Sequence, residues 1–103
     1  MVDLDPTRGR EQSGLRPALV LSVDKFNHGP AELVIMVPIT KTKRGIPTHV
    51  LVPAGEAGLT FDSYITCEEL RFVSKDCLVR QLGSVTSPRI EGVERYVRLL
   101  LGL

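Results

Sequence analysis

Several kinds of residue are scarce in this chain of 103 residues, and each scarcity excludes a class of protein. The sequence holds two cysteines and no tryptophan, and aromatic residues make up 5% of it. Two distant thiols cannot form the dense disulfide framework of a small secreted protein. No apolar run approaches the roughly 18 residues that a transmembrane helix needs, and the first residues are too acidic for a secretory signal. We therefore expect a cytoplasmic protein that makes no contact with a membrane.

The few potential metal ligands are widely spaced. Cys67, Cys77, His28 and His49 are the residue types of a zinc site, but no two of them form the close pair that such sites use. We expect no metal and no other cofactor. The two cysteines are interpreted as small buried apolar side chains, and the two histidines as surface residues in a turn and at the start of a strand.

Positive charge is small in sum but concentrated in two segments. The net charge of +1 argues against a nucleic-acid partner, because phosphate binding depends on clustered cations. Six of the 13 basic residues nevertheless fall in or beside the loops before Pro17 and after Thr40, namely Arg8, Arg10, Arg16, Lys41, Lys43 and Arg44. In an antiparallel meander these two loops emerge at the same end of the sheet, which predicts a basic groove. Charged loops that are merely solvated are the alternative.

Length and composition indicate a single domain over residues 1–103. The chain is 43% apolar, which is enough for one small core. A domain of this size keeps a high surface-to-volume ratio, and we therefore expect a homodimer.

Short apolar runs separated by turn residues predict a β protein. The predicted strands are residues 18–23, 33–37, 48–52, 63–67 and 78–83. The first two are nearly unbroken apolar runs, which indicates strands covered on both faces. Residues 24–31 are typical of an antiparallel hairpin connection, and the polar residues 41–47 predict an unpaired loop.

The fourth predicted strand changes its alternation. Ile65 and Cys67 share one parity, whereas Leu70 and Phe72 have the other. A bulge near residues 68–69 would return all four side chains to one buried face. Bulges also redirect side chains, which suits a functional site.

The C-terminal residues predict one amphipathic helix. Ser87 is a suitable N-cap and Pro88 a suitable first helical residue. The predicted apolar stripe consists of Ile90, Val93, Val97 and either Leu100 or Leu101. Five to six short strands followed by one helix predict a mainly β fold, a small half-open antiparallel barrel with the helix packed against it.

The N-terminal segment carries a specific motif. Asp3, Asp5 and Pro6 are followed by the series Gly-x-Glu-Gln-x-Gly-x-Arg-Pro over residues 9–17. This pattern resembles that of the MazF/PemK-type toxins, and the resemblance continues through residues 37–40, 63–68, 82–83 and the C-terminal helix. It implies an SH3-like barrel that dimerises through its strands. Family members begin with a longer opening strand, so that either the natural start lies upstream of Met1 or half of this edge strand has been lost.

The resemblance also implies a function. Such toxins are metal-independent endoribonucleases that cut single-stranded RNA when a 2′-hydroxyl attacks the adjacent phosphate, leaving a 2′,3′-cyclic phosphate and a 5′-hydroxyl. The implied partner is a cognate antitoxin, whose acidic disordered tail folds across the groove. The resemblance implies contact with DNA only indirectly, through this antitoxin. The implied setting is bacterial growth arrest.

Two residues are expected to act on the phosphate. The guanidinium of Arg16 can bind a phosphate through two hydrogen bonds and stabilise its developing charge, and Pro17 holds the backbone beside it. The hydroxyl of Thr40, at the end of an apolar strand, can bind a phosphate oxygen or the 2′-hydroxyl. An ordinary strand-end arginine and a threonine chosen for strand propensity are the alternatives. The resemblance assigns catalysis to both positions.

The remaining site predictions fall mainly in loops. Glu11 is a candidate general base, with a salt link to Arg8 or Arg10 as the alternative. Glu68 stands where some members have an acid-base Asp, although Glu69 replaces the glutamine that usually follows. The predicted RNA-binding residues are Gln12, Arg8, Arg10, Lys41, Lys43, Arg44 and Glu68.

Two other functions are compatible with an SH3-like toxin fold. A fold-related group of toxins poisons DNA gyrase without being an enzyme, but it depends on a C-terminal tryptophan, which this chain does not have. A binding module without catalysis is the second alternative. Cleavage that is lost in Arg16→Ala would exclude it.

Overall fold

A computed structural model describes residues 2–3 and 15–103 of the chain. Strands β1 (Val2–Asp3) and β2 (Leu15–Arg16) pair with each other. The main sheet contains β3 (Ala18–Val20), β4 (Leu33–Thr40), β5 (His49–Val52), β6 (Ser63–Thr66) and β7 (Arg71–Ser74). The helices are α1 (Asp24–Asn27) and α2 (Ser87–Leu101). The predicted mainly β fold with a C-terminal helix is confirmed, and the described strands form an open sheet.

The long strand β4 organises the main sheet. It pairs antiparallel with β3 along one edge and with β6 and β7 along the other, and β5 extends the sheet beyond β6. Its sequence is rich in β-branched residues, which favour extended backbone. Val34, Met36 and Val37 are buried on both faces of β4, as predicted. In β3 the prediction is wrong, because Val20 is 39% exposed.

The connection between β3 and β4 is the predicted antiparallel hairpin, and it contains the short helix α1. Asn27 Nδ2 donates a hydrogen bond to the carbonyl oxygen of Ser22 at 2.9 Å. The backbone N–H of Ile35 donates to Ser22 Oγ, also at 2.9 Å. These contacts fasten the turn to the start of β4, at the end of the strand away from Thr40.

A short 3₁₀ turn, Cys67–Glu69, separates β6 from β7 along the same edge of β4. The predicted interruption near residues 68–69 is therefore present, but the common buried face is not. Leu70 packs against the core, whereas Phe72 is 63% exposed. The reason is that β7 begins after Leu70, so that the alternation restarts and Val73 becomes the inward residue of the strand.

The predicted strand over residues 78–83 is wrong. Only Leu78 makes a single bridge, and the segment then packs against the 3₁₀ turn Glu56–Gly58. A Cβ atom on Gly83 would lie 2.8 Å from the carbonyl carbon of Ala57, and one on Gly58 would lie 2.3 Å from the carbonyl oxygen of Leu82. The two backbones are in direct contact, so that residues 79–83 follow this turn instead of a strand edge.

Helix α2 covers the inner face of the sheet. Val93 is fully buried within a core cluster that also contains Val37, Val52, Leu59, Ile65 and Cys67. Thr86, and not Ser87, occupies the N-cap position. The predicted apolar stripe ends at Val97, because Leu100 and Leu101 are 47% and 60% exposed. No helix within the described ranges is long and apolar enough to cross a bilayer.

Candidate active site

Arg16 and Thr40 lie on adjoining strands at one end of β4. Ala18 pairs with Pro38, and the backbone N–H of Ile39 donates to the carbonyl oxygen of Pro17 at 3.0 Å. Extended by one residue beyond this hydrogen bond, the same register would place the backbone of Arg16 across from Thr40. Arg16 is exposed, and on its other side its backbone pairs with Val2.

Pro38 lies within the paired part of β4, two residues before Thr40. Proline has no N–H to donate, which usually confines it to edges and bulges. Here its carbonyl oxygen accepts a hydrogen bond from Thr66 Oγ1 at 2.8 Å, and Thr66 is 2% exposed. This buried contact links β4 to β6 beside Thr40 and fixes the strand that holds it.

Thr40 directly precedes the basic loop, which we define as residues 41–48. Its Oγ1 accepts a hydrogen bond from the backbone N–H of Thr42 at 3.1 Å, so that the hydroxyl fixes the first turn of the loop. Lys41, Lys43 and Arg44 are exposed on this loop. Among the described residues, Arg16 and these three cations therefore share one end of β4, where the sequence predicts a basic groove.

Four of the predicted site residues cannot be placed in this geometry. Glu11, Gln12, Arg8 and Arg10 lie outside the described residues.

Glu68 clamps the far end of the basic loop. Its Oε1 accepts a hydrogen bond from Thr48 Oγ1 at 2.6 Å, and its Oε2 lies 2.7 Å from His49 Nε2. Partial burial acts to raise the pKa of this carboxyl, but hydrogen bonds from Thr48, from the Glu68 backbone and from His49 outweigh it and lower the pKa below its usual value. A carboxylate held in this way is a weak base, and its contact with Thr48 anchors the end of the loop.

The clamp predicts a pH dependence of stability. Because the pKa of Glu68 is lower in the folded protein than in the unfolded chain, its contribution is complete above the unfolded value and is lost as the pH falls through the folded value. Urea denaturation of the wild type and of Glu68→Gln should therefore show a smaller loss of stability on acidification in the variant. Glu94→Gln, at an exposed site on α2, is the control and should follow the wild type.

His49 is the clearest error of the sequence-based site prediction. It is not a surface residue, because its side chain is 4% exposed. Its Nδ1 is buried and has no hydrogen-bond partner among the described residues. His28, by contrast, is exposed as predicted. No sequence signal near His49 predicts its contact with Glu68, which lies 19 residues further along the chain.

The cysteines differ from each other. Cys67 is buried in the core, as predicted, whereas Cys77 is only half-buried. Burial, followed by the nearby charge of Glu68, raises the pKa of the Cys67 thiol to about 11. This thiol is protonated at neutral pH and is a poor nucleophile or metal ligand. Within the described ranges, no three His, Cys, Asp or Glu side chains are grouped to hold a metal ion.

Two aromatic residues near Thr40 were not predicted as site residues. Tyr64 pairs directly with Thr40 across β4 and β6. Phe61 lies just before β6, and Lys41 Nζ is 4.8 Å from the centroid of its ring. The signal that could have found Phe61 is a large aromatic residue in a polar turn. This arrangement of an arginine, a hydroxyl, loop cations and an aromatic ring can bind a phosphodiester flanked by a base.

The chain matches a family model throughout. The model, described as PemK-like, MazF-like toxin of type II toxin-antitoxin system, matches residues 1–101. The chain is also 33% identical over 107 residues to the endoribonuclease MazF9 of Mycobacterium tuberculosis, covering 99% of this chain and 91% of that protein.

Solved structures agree with this match. A crystal structure of MazE-MazF from Deinococcus radiodurans, in Form-II, has a TM-score of 0.84 at 29% identity and covers 99% of this chain and 89% of that one. An endoribonuclease in complex with its cognate antitoxin, from a mycobacterial species, has a TM-score of 0.78 at 27% identity, with 99% and 88% covered.

Proposed function

Because the chain belongs to the family of PemK-like, MazF-like toxins of type II toxin-antitoxin systems, we propose that it is an endoribonuclease. Its substrate is single-stranded RNA, which it cuts at a short sequence without a metal ion. The observation that carries this proposal is the hydrogen bond between Ile39 and Pro17, which brings the adjacent residues Thr40 and Arg16 to one end of the sheet, beside a loop with three exposed cations. The full-length similarity to an endoribonuclease supports it.

The proposed reaction needs no group beyond the protein, the RNA and water. The 2′-oxygen attacks the adjacent phosphorus, the bond from phosphorus to the 5′-oxygen breaks, and a 2′,3′-cyclic phosphate and a 5′-hydroxyl form. Glu11 is the proposed base that takes the 2′-hydroxyl proton. Water supplies the proton to the leaving oxygen, because a guanidinium does not give up its own.

Arg16 and Thr40 act on the phosphate in this reaction. Negative charge grows on the phosphorane oxygens, and a fixed guanidinium stabilises it by charge and by two parallel hydrogen bonds. Thr40 positions a phosphate oxygen, and its hydroxyl keeps donor capacity because it accepts the hydrogen bond from Thr42.

The loop cations hold the RNA chain across this site. Lys41, Lys43 and Arg44, with Arg8, Arg10 and Gln12, are the proposed contacts to phosphate, sugar and base edges. Glu68 holds the end of the loop that carries Lys41, Lys43 and Arg44 by its contact with Thr48.

We also assign the partners by family. The toxin is a homodimer in the cytoplasm, and its inhibitor is a cognate antitoxin whose acidic tail covers the basic groove. The similarity to an endoribonuclease in complex with its cognate antitoxin supports this assignment. The toxin meets DNA only through the antitoxin, and its release arrests bacterial growth.

A cleavage assay tests the proposed function. Incubated with a long single-stranded RNA and EDTA, the purified protein should produce discrete fragments that end in a 2′,3′-cyclic phosphate. Chelation should not reduce the rate, because the proposed mechanism uses no metal ion. The ends are identified by phosphatase treatment and by mapping of the cut positions.

Two results would contradict the proposal. Cleavage that stops in EDTA and returns with a divalent ion would assign a metal-dependent mechanism. Stable binding of RNA and antitoxin without any cleavage would assign the chain to the non-catalytic binding modules.

A further inference from the structure

Phe61 is an exposed aromatic residue in a position that strand propensity and core packing do not explain. Its ring is 59% exposed, and it lies outside the buried core. Thr40, the last residue of β4, pairs with Tyr64 near the start of β6, and Phe61 lies just before β6. Because the two strands are antiparallel, the residues that follow Thr40 and those that precede β6 lie at the same end of the sheet. The ring therefore lies at the same end of the sheet as Arg16 and the basic loop.

The turn that carries Phe61 is fixed on both sides. Ser63 Oγ, in a residue that is 2% exposed, donates a hydrogen bond to the carbonyl oxygen of Phe61 at 2.9 Å. Asp62 Oδ1 accepts one from the backbone N–H of Ala54 at 2.9 Å. An exposed ring on an anchored backbone is a preorganised surface, since little entropy is lost when a ligand covers it.

The immediate neighbour of the ring is a cation of the basic loop. Lys41 Nζ is 4.8 Å from the ring centroid, a distance at which an ammonium is attracted to an aromatic face. Lys41 directly follows Thr40, so that the ring contact is made by the residue next to the proposed phosphate-binding hydroxyl. A ring with a cation beside it is the combination that binds a nucleobase by stacking and its phosphate by charge.

We propose that Phe61 is a base-stacking platform that helps to determine where the RNA is cut. A base next to the scissile phosphate stacks on the ring, and Lys41 contacts the phosphate of the same strand. This inference rests on the proposed ribonuclease function and adds a specificity-determining residue to it. A base is the favoured occupant, because an exposed ring next to the Lys41 ammonium can stack on a nucleobase while the cation contacts the phosphate of the same strand.

Substitution of the ring provides the test. Phe61→Leu keeps an apolar side chain but removes the π face, and we expect kcat/KM on the mapped RNA site to fall about tenfold. Phe61→Tyr should restore the wild-type value. Phe72→Leu is the matched control, since Phe72 is 63% exposed on β7, where it pairs with Ile35 away from Thr40. All variants should retain the wild-type melting temperature.

A spectroscopic measurement separates stacking from a structural effect. An oligonucleotide with 2-aminopurine beside the cut position is bound to protein that carries Arg16→Ala, so that it is not cleaved. Its fluorescence should be quenched on binding, and adding Phe61→Leu should remove the quenching.

The outcomes distinguish the two proposals. Wild-type protein that cuts no RNA would overturn the ribonuclease function and the platform with it. Wild-type cleavage that is unchanged in Phe61→Leu, with equal quenching, would overturn the platform alone. Loss of antitoxin binding without loss of RNA cleavage would also overturn it and assign the ring to the protein partner.

Discussion

Arg16→Ala should abolish most of the RNA cleavage while the protein stays folded. Arg16 is exposed and belongs to no part of the core cluster, so that its removal leaves no cavity. What is lost is the charge that faces the phosphorane opposite Thr40. Arginine groups that stabilise such transition states contribute roughly a thousandfold in rate, which corresponds to about 4 kcal/mol. We expect a fall in kcat of about this size.

Two companion variants make this result specific. Arg16→Lys keeps the charge but loses the planar pair of donors, and its rate should lie between those of the wild type and Arg16→Ala. Arg95→Ala removes an exposed arginine from α2 and should cleave like the wild type. Cleavage that survives in Arg16→Ala would move the phosphate-binding role to another cation. Circular dichroism and melting temperature check that every variant is folded.

Among the loop glycines that the structure describes, Gly58 is the one at which substitution by alanine should destabilise the fold most. Gly58 has a φ of +74°, which alone costs a side chain about 1 kcal/mol. Its Cβ would also lie 2.3 Å from the carbonyl oxygen of Leu82, a backbone atom that cannot rotate away. The combined loss should reach about 3–5 kcal/mol and lower the melting temperature by more than 10 °C or so.

Gly55→Ala is the matched control for this effect. Gly55 also has a positive φ, +95°, but a Cβ there would meet nothing within 4 Å. The difference between the two variants in urea denaturation therefore measures the clash without the backbone strain. Equal losses in both would mean that the segment around Leu82 moves aside at no cost.

The elements that could be predicted from sequence are those whose signals are local. The turn residues and β-branched runs give the antiparallel pairing of β3 with β4, and Pro88 gives the start of α2 to within one residue. Arg16 and Thr40 are singled out by the resemblance to the toxin family, because a strand-end arginine and a threonine chosen for strand propensity fit the local pattern equally well. The antiparallel meander then brings these two positions to the same end of the sheet, whatever side chains the loops carry.

The features that escaped prediction depend on contacts between distant residues. Residues 78–83 have the composition of a strand, but the approach of Gly83 to Ala57 decides their path. His49 reads as a surface residue until Glu68 is placed beside it. Phe72 reads as a core residue because the 3₁₀ turn before β7 cannot be distinguished in sequence from a simple bulge. In each case the surroundings of the residue depend on a second segment, which its own local sequence does not specify.

The basic loop has fixed ends and an exposed middle. Thr40 and Thr42 secure its beginning, and the clamp of Thr48 and His49 on Glu68 secures its end. Every residue from 41 to 47 is exposed, and none contributes to the core cluster. Mutations in this middle segment therefore carry little penalty for the fold. Substrate preference can diverge there rapidly under selection, while the sheet that presents the loop is inherited unchanged.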